Sequence, residues 1–242
     1  MPGSLARSLL SLVVPPLCAA CREPELSGAP VCPGCAAAMP AIGPCCRLCG
    51  APFPGPVDSC TECRGRGFAF ERAWAPFAYT GSARRLVLGL KAGGLVRSAP
   101  WMAAAIACHA PPGVLGGVLV PAPAHRERLR RQGQNHAGEL ARALGRRTGL
   151  AVADVLARRP GGRPQAGLAG SARRANVRGR VVLRGGAPPG RAVIVDDVYT
   201  TGSTLDACAA ALRAAGSAAV SAVCFARAVR GPPAVARAPG GA

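Results

Sequence analysis

Two groups of residues in this chain have types and spacings that could do chemistry. The first is sulfur. Nine of the twelve cysteines precede residue 64, and eight of these form four Cys-x-x-Cys pairs: Cys18/Cys21, Cys32/Cys35, Cys46/Cys49 and Cys60/Cys63. Cys45 is the ninth. Ten residues separate the first pair from the second and the third from the fourth, and adding 28 to the first four positions gives the second four. One unit is therefore repeated. A Cys-x-x-Cys turn aims two thiolates at one point, and two turns complete a tetrahedral cage with metal–sulfur bonds of ~2.3 Å.

The second group is VIVDDVYTTGST, residues 193–204. An apolar strand delivers Asp196 and Asp197 to its C-terminal end. Thr200, Thr201, Gly202, Ser203 and Thr204 then lead into a helix. Such a Gly/Ser/Thr turn aims backbone N–H groups and hydroxyls at one point, a cradle suited to phosphate. Carboxylates just before it can accept hydrogen bonds from sugar hydroxyls or help hold Mg2+.

The cysteine segments are short, rich in Pro and Gly, and poor in apolar residues. Metal must supply their folding free energy, on the order of 10–16 kcal/mol per site. About two structural Zn2+ are expected. The sites are either sequential (18/21/32/35 and 46/49/60/63) or interleaved, and the repeat favours sequential. A disulfide framework would need an oxidising compartment. Residues 9–14 (LLSLVV) are a short apolar run with only Arg7 before it, ended by Pro15-Pro16 rather than a small-residue cleavage site. A reducing, cytoplasmic location is expected. Cys108, Cys208 and Cys224 lie on apolar stretches and are expected as buried core thiols.

These groups need a scaffold, and the composition supplies one. The chain has 242 residues, half of them hydrophobic. That suits one medium domain, or one domain plus a small appendage, and excludes wholesale disorder. No apolar run approaches the ~18–20 residues of a membrane-spanning helix. Lysine plus arginine is 30 against 11 acids, yet Lys91 is the single lysine. Ala92 follows it, so no phosphate-binding GxxxxGK[ST] loop exists. Abundant Arg, Ala, Gly and Pro fit GC-rich coding, which explains part of the basicity. Residues 1–66 are net +1 and residues 67–242 net +18, so the charge belongs to the larger part. Residues 155–195 hold nine arginines and no acid, either a solvated face or a pyrophosphate or nucleic-acid surface. Aromatics are only 4%, too few for a base-stacking platform.

Strand and helix patterns alternate through the larger part. Strands are expected at Val114–Val120, Ala151–Leu156, Val181–Leu183, Ala192–Val195 and Ala219–Phe225. Helices are expected at His136–Thr148, with Leu140, Ala141 and Leu144 on one face, and at Leu205–Ala215. Continuous apolar strands alternating with helices indicate an α/β fold, a parallel sheet flanked by helices. The organisation expected is a cysteine module at 1–66, an α/β domain at 67–230 and a disordered tail at 231–242.

VIVDDVYTTGST resembles the phosphoribosyl-pyrophosphate (PRPP) motif of type I phosphoribosyltransferases. The wider chain is similar to the ComF (competence protein F) family, in which a cysteine zinc module precedes a phosphoribosyltransferase domain. LLSLVVPPLCAAC, PFAYTGSARRLVLGLKAGG and VLVPAPAHRERLRRQGQNHAGELA each resemble segments of that family. The last departs from it: Gln132-Gly133-Gln134-Asn135-His136 keeps two residues of the family's Arg-Gly-Phe-Asn-Gln. ARRPGGRPQAGLAGSARRANVRG resembles the family's Arg…Gln-x-x-Leu…Arg-x-x-Asn-Val segment.

The resemblance implies a type I phosphoribosyltransferase-like sheet behind a double zinc ribbon. It implies transfer of a 5-phosphoribosyl group from PRPP to a nitrogen acceptor, with release of pyrophosphate and with Mg2+ as cofactor. Thr200, Thr201, Gly202, Ser203 and Thr204 would hold the 5′-phosphate. Asp196 and Asp197 would face the ribose and stabilise positive charge near C1. Pro123, His125, Arg126, Arg128, Arg130 and Arg131 would form the pyrophosphate loop. Arg158, Gln165, Arg173 and Asn176 would belong to a flexible lid. A non-catalytic PRPP sensor or single-stranded-DNA-handling competence factor is the alternative. The partners implied are PRPP, the acceptor, and single-stranded DNA or the DNA-uptake machinery.

Overall fold

A computed structural model of the chain describes residues 16–55, 57–91, 98–124, 135–159 and 180–229. Within them the elements run in chain order α1 (Pro33–Ala37), β1 (Arg72–Trp74), β2 (Phe77–Ala78), α2 (Gly81–Lys91), α3 (Ser98–His109), β3 (Val118–Pro121), α4 (His136–Thr148), β4 (Leu156–Arg158), β5 (Val181–Leu183), β6 (Arg191–Tyr199), α5 (Ser203–Ala214) and β7 (Ala219–Arg227).

The two nine-residue strands, β6 and β7, form the centre of the sheet. They pair in parallel from Arg191↔Ala219 to Tyr199↔Arg227. Parallel neighbours require a crossover, and α5 supplies it. The strand order is β1-β7-β6-β3, with β2 also on β7, and every pairing is parallel. β4 and β5 form a separate antiparallel pair.

Alternation along the strands divides the core in two. Val193, Val195, Val223 and Phe225 pack with Leu86 and Leu90 of α2, Met102 and Ile106 of α3, and Leu140 and Leu144 of α4. Ala192, Ile194, Ala222 and Cys224 pack with Leu205, Cys208 and Leu212 of α5, and with Leu156 and Val181 of the β4–β5 pair. Both faces are covered, which is why these strands read as continuous apolar runs.

The cysteine segments join the same two clusters. Cys18, Ala19, Val31 and Cys35 belong with Trp74 and Phe77 to the α2–α3–α4 side. Cys46, Cys49, Cys60 and Cys63 belong with Phe70 and Ala73 to the α5 side. Backbone hydrogen bonds stitch them to the β1–β2 edge: Ala73 N donates to Leu48 O and Ala78 N to Pro40 O. Each repeat thus backs one face of the sheet at that edge.

Several boundaries differ from expectation. The strand expected from Val114 begins only at Val118, because Val114 and Leu115 lie in a turn. Gly117 then passes so close to Arg191 that a Cβ there would sit 2.6 Å from its carbonyl oxygen. Ala151–Leu156 is not a strand; Val152 makes one bridge to Leu119, and β4 starts at Leu156. β6 does not stop before the acids but runs through them to Tyr199. α4 has the expected bounds and closes on left-handed Gly149. Helices α2 and α3 fall outside the periodicity reading. SAPWMAAAIACH is apolar around most of its circumference, so it shows no amphipathic stripe. Cys208 and Cys224 are buried as expected, whereas Cys108 is exposed, near the C-terminal end of α3.

Candidate functional site

The sulfur atoms of Cys18, Cys21, Cys32 and Cys35 form one group and those of Cys46, Cys49, Cys60 and Cys63 another, each group within 4.8 Å. The pairing is sequential. Sulfur–sulfur contacts within them include Cys21–Cys32 at 3.8 Å, Cys46–Cys63 at 3.6 Å and Cys49–Cys60 at 3.6 Å. A tetrahedron with ~2.3 Å metal–sulfur bonds has edges of about 3.8 Å, so both cages have the size that zinc requires. Backbone amides already point at the sulfurs: Ala20 N and Cys32 N lie 3.4 and 3.3 Å from Cys18 Sγ. Burial raises the Cys18 pKa, but the amides of Cys32, Cys21 and Ala20 outweigh it and bring the thiol down to about 6. Cys46 is likewise brought to about 7, against its burial, by the amides of Cys49 and Cys60. In each cage one thiol is thus ready to ionise first and accept metal. Cys45 belongs to neither cage.

The acid pair lies at the C-terminal end of β6, beside a cleft of about 310 Å³. Asp196, Asp197, Thr200, Thr204, Pro123 and Arg158 meet there. β6 brings the acids, the turn into α5 brings the threonines, the end of β3 leads to Pro123, and β4 delivers Arg158. Arg158 Nε donates to Pro123 O at 3.0 Å, fastening β4 to the segment after β3.

Three residues without an assigned role join them: Lys91, Asn135 and His136. Lys91, the last residue of α2, places Nζ 3.0 Å from Asp197 Oδ2. Asn135, preceding α4, donates from Nδ2 to Ala122 O at 3.3 Å. His136 is buried in the first turn of α4. Asn135 and His136 stand in the Gln132–His136 segment singled out above, whereas the signal at Lys91 is its singularity. In a chain that elsewhere uses arginine for every cation, one retained ammonium marks a place where a compact point charge is needed.

The two adjacent carboxylates differ. Asp196 Oδ1 accepts from Asp197 N at 2.9 Å. Burial, and then the charge of Asp197, push the Asp196 pKa up to about 7, while Lys91 and Arg158 act in the opposite direction. One carboxylate is ion-paired and its neighbour is poised to exchange a proton near neutrality.

The turn after β6 pivots on Gly202, at φ +78° directly before α5. A Cβ there would also sit 2.6 Å from the Tyr199 hydroxyl oxygen, so glycine is required twice over. Thr201 Oγ1 and Ser203 Oγ lie 2.9 Å apart on the exposed side. Thr200 and Thr204 face the acid cleft, whereas Thr200 and Thr201 also line a second cavity of about 220 Å³ beside the Cys46–Cys63 cage. The five loop residues therefore do not all face one side. Asp206, in the first turn of α5, accepts from Ala69 N at 2.8 Å and ties the helix to the segment leaving the cysteine repeats.

His125, Arg126, Arg128, Arg130, Arg131, Gln165, Arg173 and Asn176 lie outside the described residues. So do the expected tail at 231–242 and most of the arginine-rich stretch. His109 is exposed, with Nδ1 2.8 Å from Ala105 O.

Residues 9–64 match the double zinc ribbon domain. The chain carries a double zinc ribbon. The match spans both cages and ends one residue past Cys63. No curated protein matches the chain. Among the described residues no helix is long and apolar enough to cross a membrane.

Proposed function

We propose that this chain is a ComF-type, PRPP-binding phosphoribosyltransferase-like protein, with the fold of the type I enzymes behind its double zinc ribbon. The observation that carries the reading is the meeting of Asp196, Asp197, Lys91 and Arg158 with the Gly202 turn in one cleft at the C-terminal end of a parallel strand. That is where open α/β sheets bind their ligands. The cleft volume is at the lower end of the ~300–1,000 Å³ usual for small-molecule sites. Its lining of carboxylates, cations and hydroxyls suits a highly charged sugar phosphate.

In this reading the Gly202 turn and the start of α5 receive the 5′-phosphate. Asp196 and Asp197 accept hydrogen bonds from the ribose hydroxyls. Lys91 and Arg158 face the pyrophosphate. The C1–oxygen bond breaks with its electron pair leaving on pyrophosphate, and a nitrogen lone pair on the acceptor forms the new bond to C1. The acceptor nitrogen releases its proton to solvent. The acid pair lowers the barrier by stabilising positive charge at C1, so the work is positioning and electrostatics. Mg2+ bound with PRPP would neutralise the departing pyrophosphate, and Asp196 would be the carboxylate to help hold it.

The test is pyrophosphate release from PRPP and Mg2+ over a panel of bases, amines and nucleic acids. Release with one acceptor class, lost in Asp196→Asn/Asp197→Asn, supports transfer. PRPP binding with no release across the panel points to a sensor. Calorimetry showing equal PRPP affinity in wild type and the double variant removes the site.

A further inference from the structure

Arg227 ends β7 as the register partner of Tyr199 at the end of β6. Its side chain is 3% exposed and reaches toward the second cysteine cage. Nη1 donates to Cys49 O at 2.6 Å, and Nη2 donates to Glu62 Oε2 at 2.9 Å while lying 3.8 Å from Cys49 Sγ. The guanidinium carbon stacks 4.1 Å over the centroid of the Tyr199 ring. Nε is buried with no hydrogen-bond partner. Tyr199 in turn is packed against Gly202, with no room between them for a Cβ. An unbroken run of contacts therefore leads from a sulfur ligand of the second cage, through Arg227 and Tyr199, to the pivot of the Thr200–Thr204 turn. The 220 Å³ cavity, lined by Arg227, Tyr199, Thr200 and Thr201, occupies the same joint.

Metal occupancy gives this run two states. Four thiolates around one divalent ion leave a net double negative charge, and Glu62 adds another beside it. A guanidinium, which keeps its proton under all ordinary conditions, is the buried cation that answers them. When the cage is empty, no metal fixes the position of Cys49. The hold of its carbonyl and sulfur on Arg227 then loosens, and with it the seat of the guanidinium on the Tyr199 ring.

We propose that Arg227 is a positioning residue that links the Cys46/Cys49/Cys60/Cys63 cage to the phosphate turn, so that metal in the cage and a sugar phosphate at the turn each tighten binding of the other. The proposal rests on reading Thr200–Thr204 as a phosphate cradle. Linkage makes the effect reciprocal.

The experiment uses the full, zinc-loaded chain and ribose 5-phosphate as probe. Zinc affinity is measured by equilibrium competition with a chromogenic chelator, and ribose 5-phosphate binding by calorimetry. Saturating ribose 5-phosphate should tighten one of the two zinc ions about fivefold or more and leave the other unchanged. Arg227→Lys keeps the charge but loses the fork, and should abolish the tightening. If that variant does not fold, Tyr199→Leu breaks the same run at the ring, and the wild-type measurement decides by itself. Ribose 5-phosphate that binds without altering either zinc overturns the linkage and leaves the phosphate turn standing. Tightening that persists in Arg227→Lys overturns the role of Arg227. Failure of the wild type to bind ribose 5-phosphate overturns both readings.

Discussion

Lys91 Nζ and Asp197 Oδ2 lie 3.0 Å apart, so the chain's single lysine is spent on one of two adjacent carboxylates in the cleft. The pair joins the last residue of α2 to the C-terminal part of β6. Both side chains are mostly buried, so water screens them less than a surface pair. Lys91→Met should weaken PRPP binding roughly tenfold, equivalent to about 1.4 kcal/mol. Lys91→Arg should restore only part of it, because a planar fork cannot replace a compact ammonium in the same space. Calorimetry with PRPP and Mg2+ measures both; an unchanged dissociation constant in Lys91→Met would remove Lys91 from the site.

Asp196 makes the fold sensitive to pH. Its folded pKa of about 7 lies above its ordinary carboxylate value of 3.8, so between those values the folded state holds more protons than the unfolded chain. Stability from this group is then fully present below pH 4 and is lost as pH rises through 7. Asp196→Asn should therefore raise the melting temperature at pH 8 and leave it nearly unchanged at pH 4, by an effect on the order of a few kcal/mol. Melting curves in Mg2+-free buffer at the two values check this. An equal shift at both would mean that Asp196 titrates normally. PRPP binding should strengthen between pH 6 and pH 8 in the wild type, as Asp196 ionises.

Gly202→Ala combines a left-handed φ with a collision against Tyr199. The backbone strain alone costs about 1–3 kcal/mol. The variant should lose thermal stability and bind ribose 5-phosphate at least roughly tenfold more weakly, given that every 1.4 kcal/mol is tenfold. Adding Tyr199→Phe removes the atom at 2.6 Å but leaves ring carbon at 2.9 Å, so rescue should be partial. Full rescue would show that the hydroxyl alone demands glycine.

Metal analysis should find about two zinc ions per chain. Replacing Cys18, Cys21, Cys32 and Cys35 together should leave one, held by the second cage; loss of both would contradict the sequential geometry. Chelation removes on the order of 10–16 kcal/mol per site, as much as the ~5–15 kcal/mol that holds a whole domain together. Both cages belong to the clusters that contain the sheet. Excess chelator should therefore unfold β6 and β7 along with the ribbons, seen as collapse of the far-ultraviolet circular dichroism. Survival of that signal would show that the sheet stands without its sulfur.

What could be read from the sequence was what is local. The repeat at 28 residues, the strand–acid–glycine–helix order at 193–204 and the stripe of Leu140, Ala141 and Leu144 are all near neighbours, and each appears in the structure. The partners of Asp197 and Arg158 were hidden, because Lys91 and Pro123 reach them only after α2 and β3 have docked. The repeat favours sequential over interleaved cages, and the structure gathers the sulfurs sequentially, one cage on each side of the sheet. Cys108 reads as core because its neighbours are apolar, but it lies on the exposed side of the last turn of α3, opposite buried Ile106.

The placement of one ribbon against each flank of β1 has a consequence for anyone trimming this protein. A fragment starting after residue 66 would keep every strand yet expose greasy surfaces front and back, along with an open border ready to pair with a neighbour. Such a fragment should clump rather than disperse, so the sulfur-rich head and the body behind it have to be made and purified together.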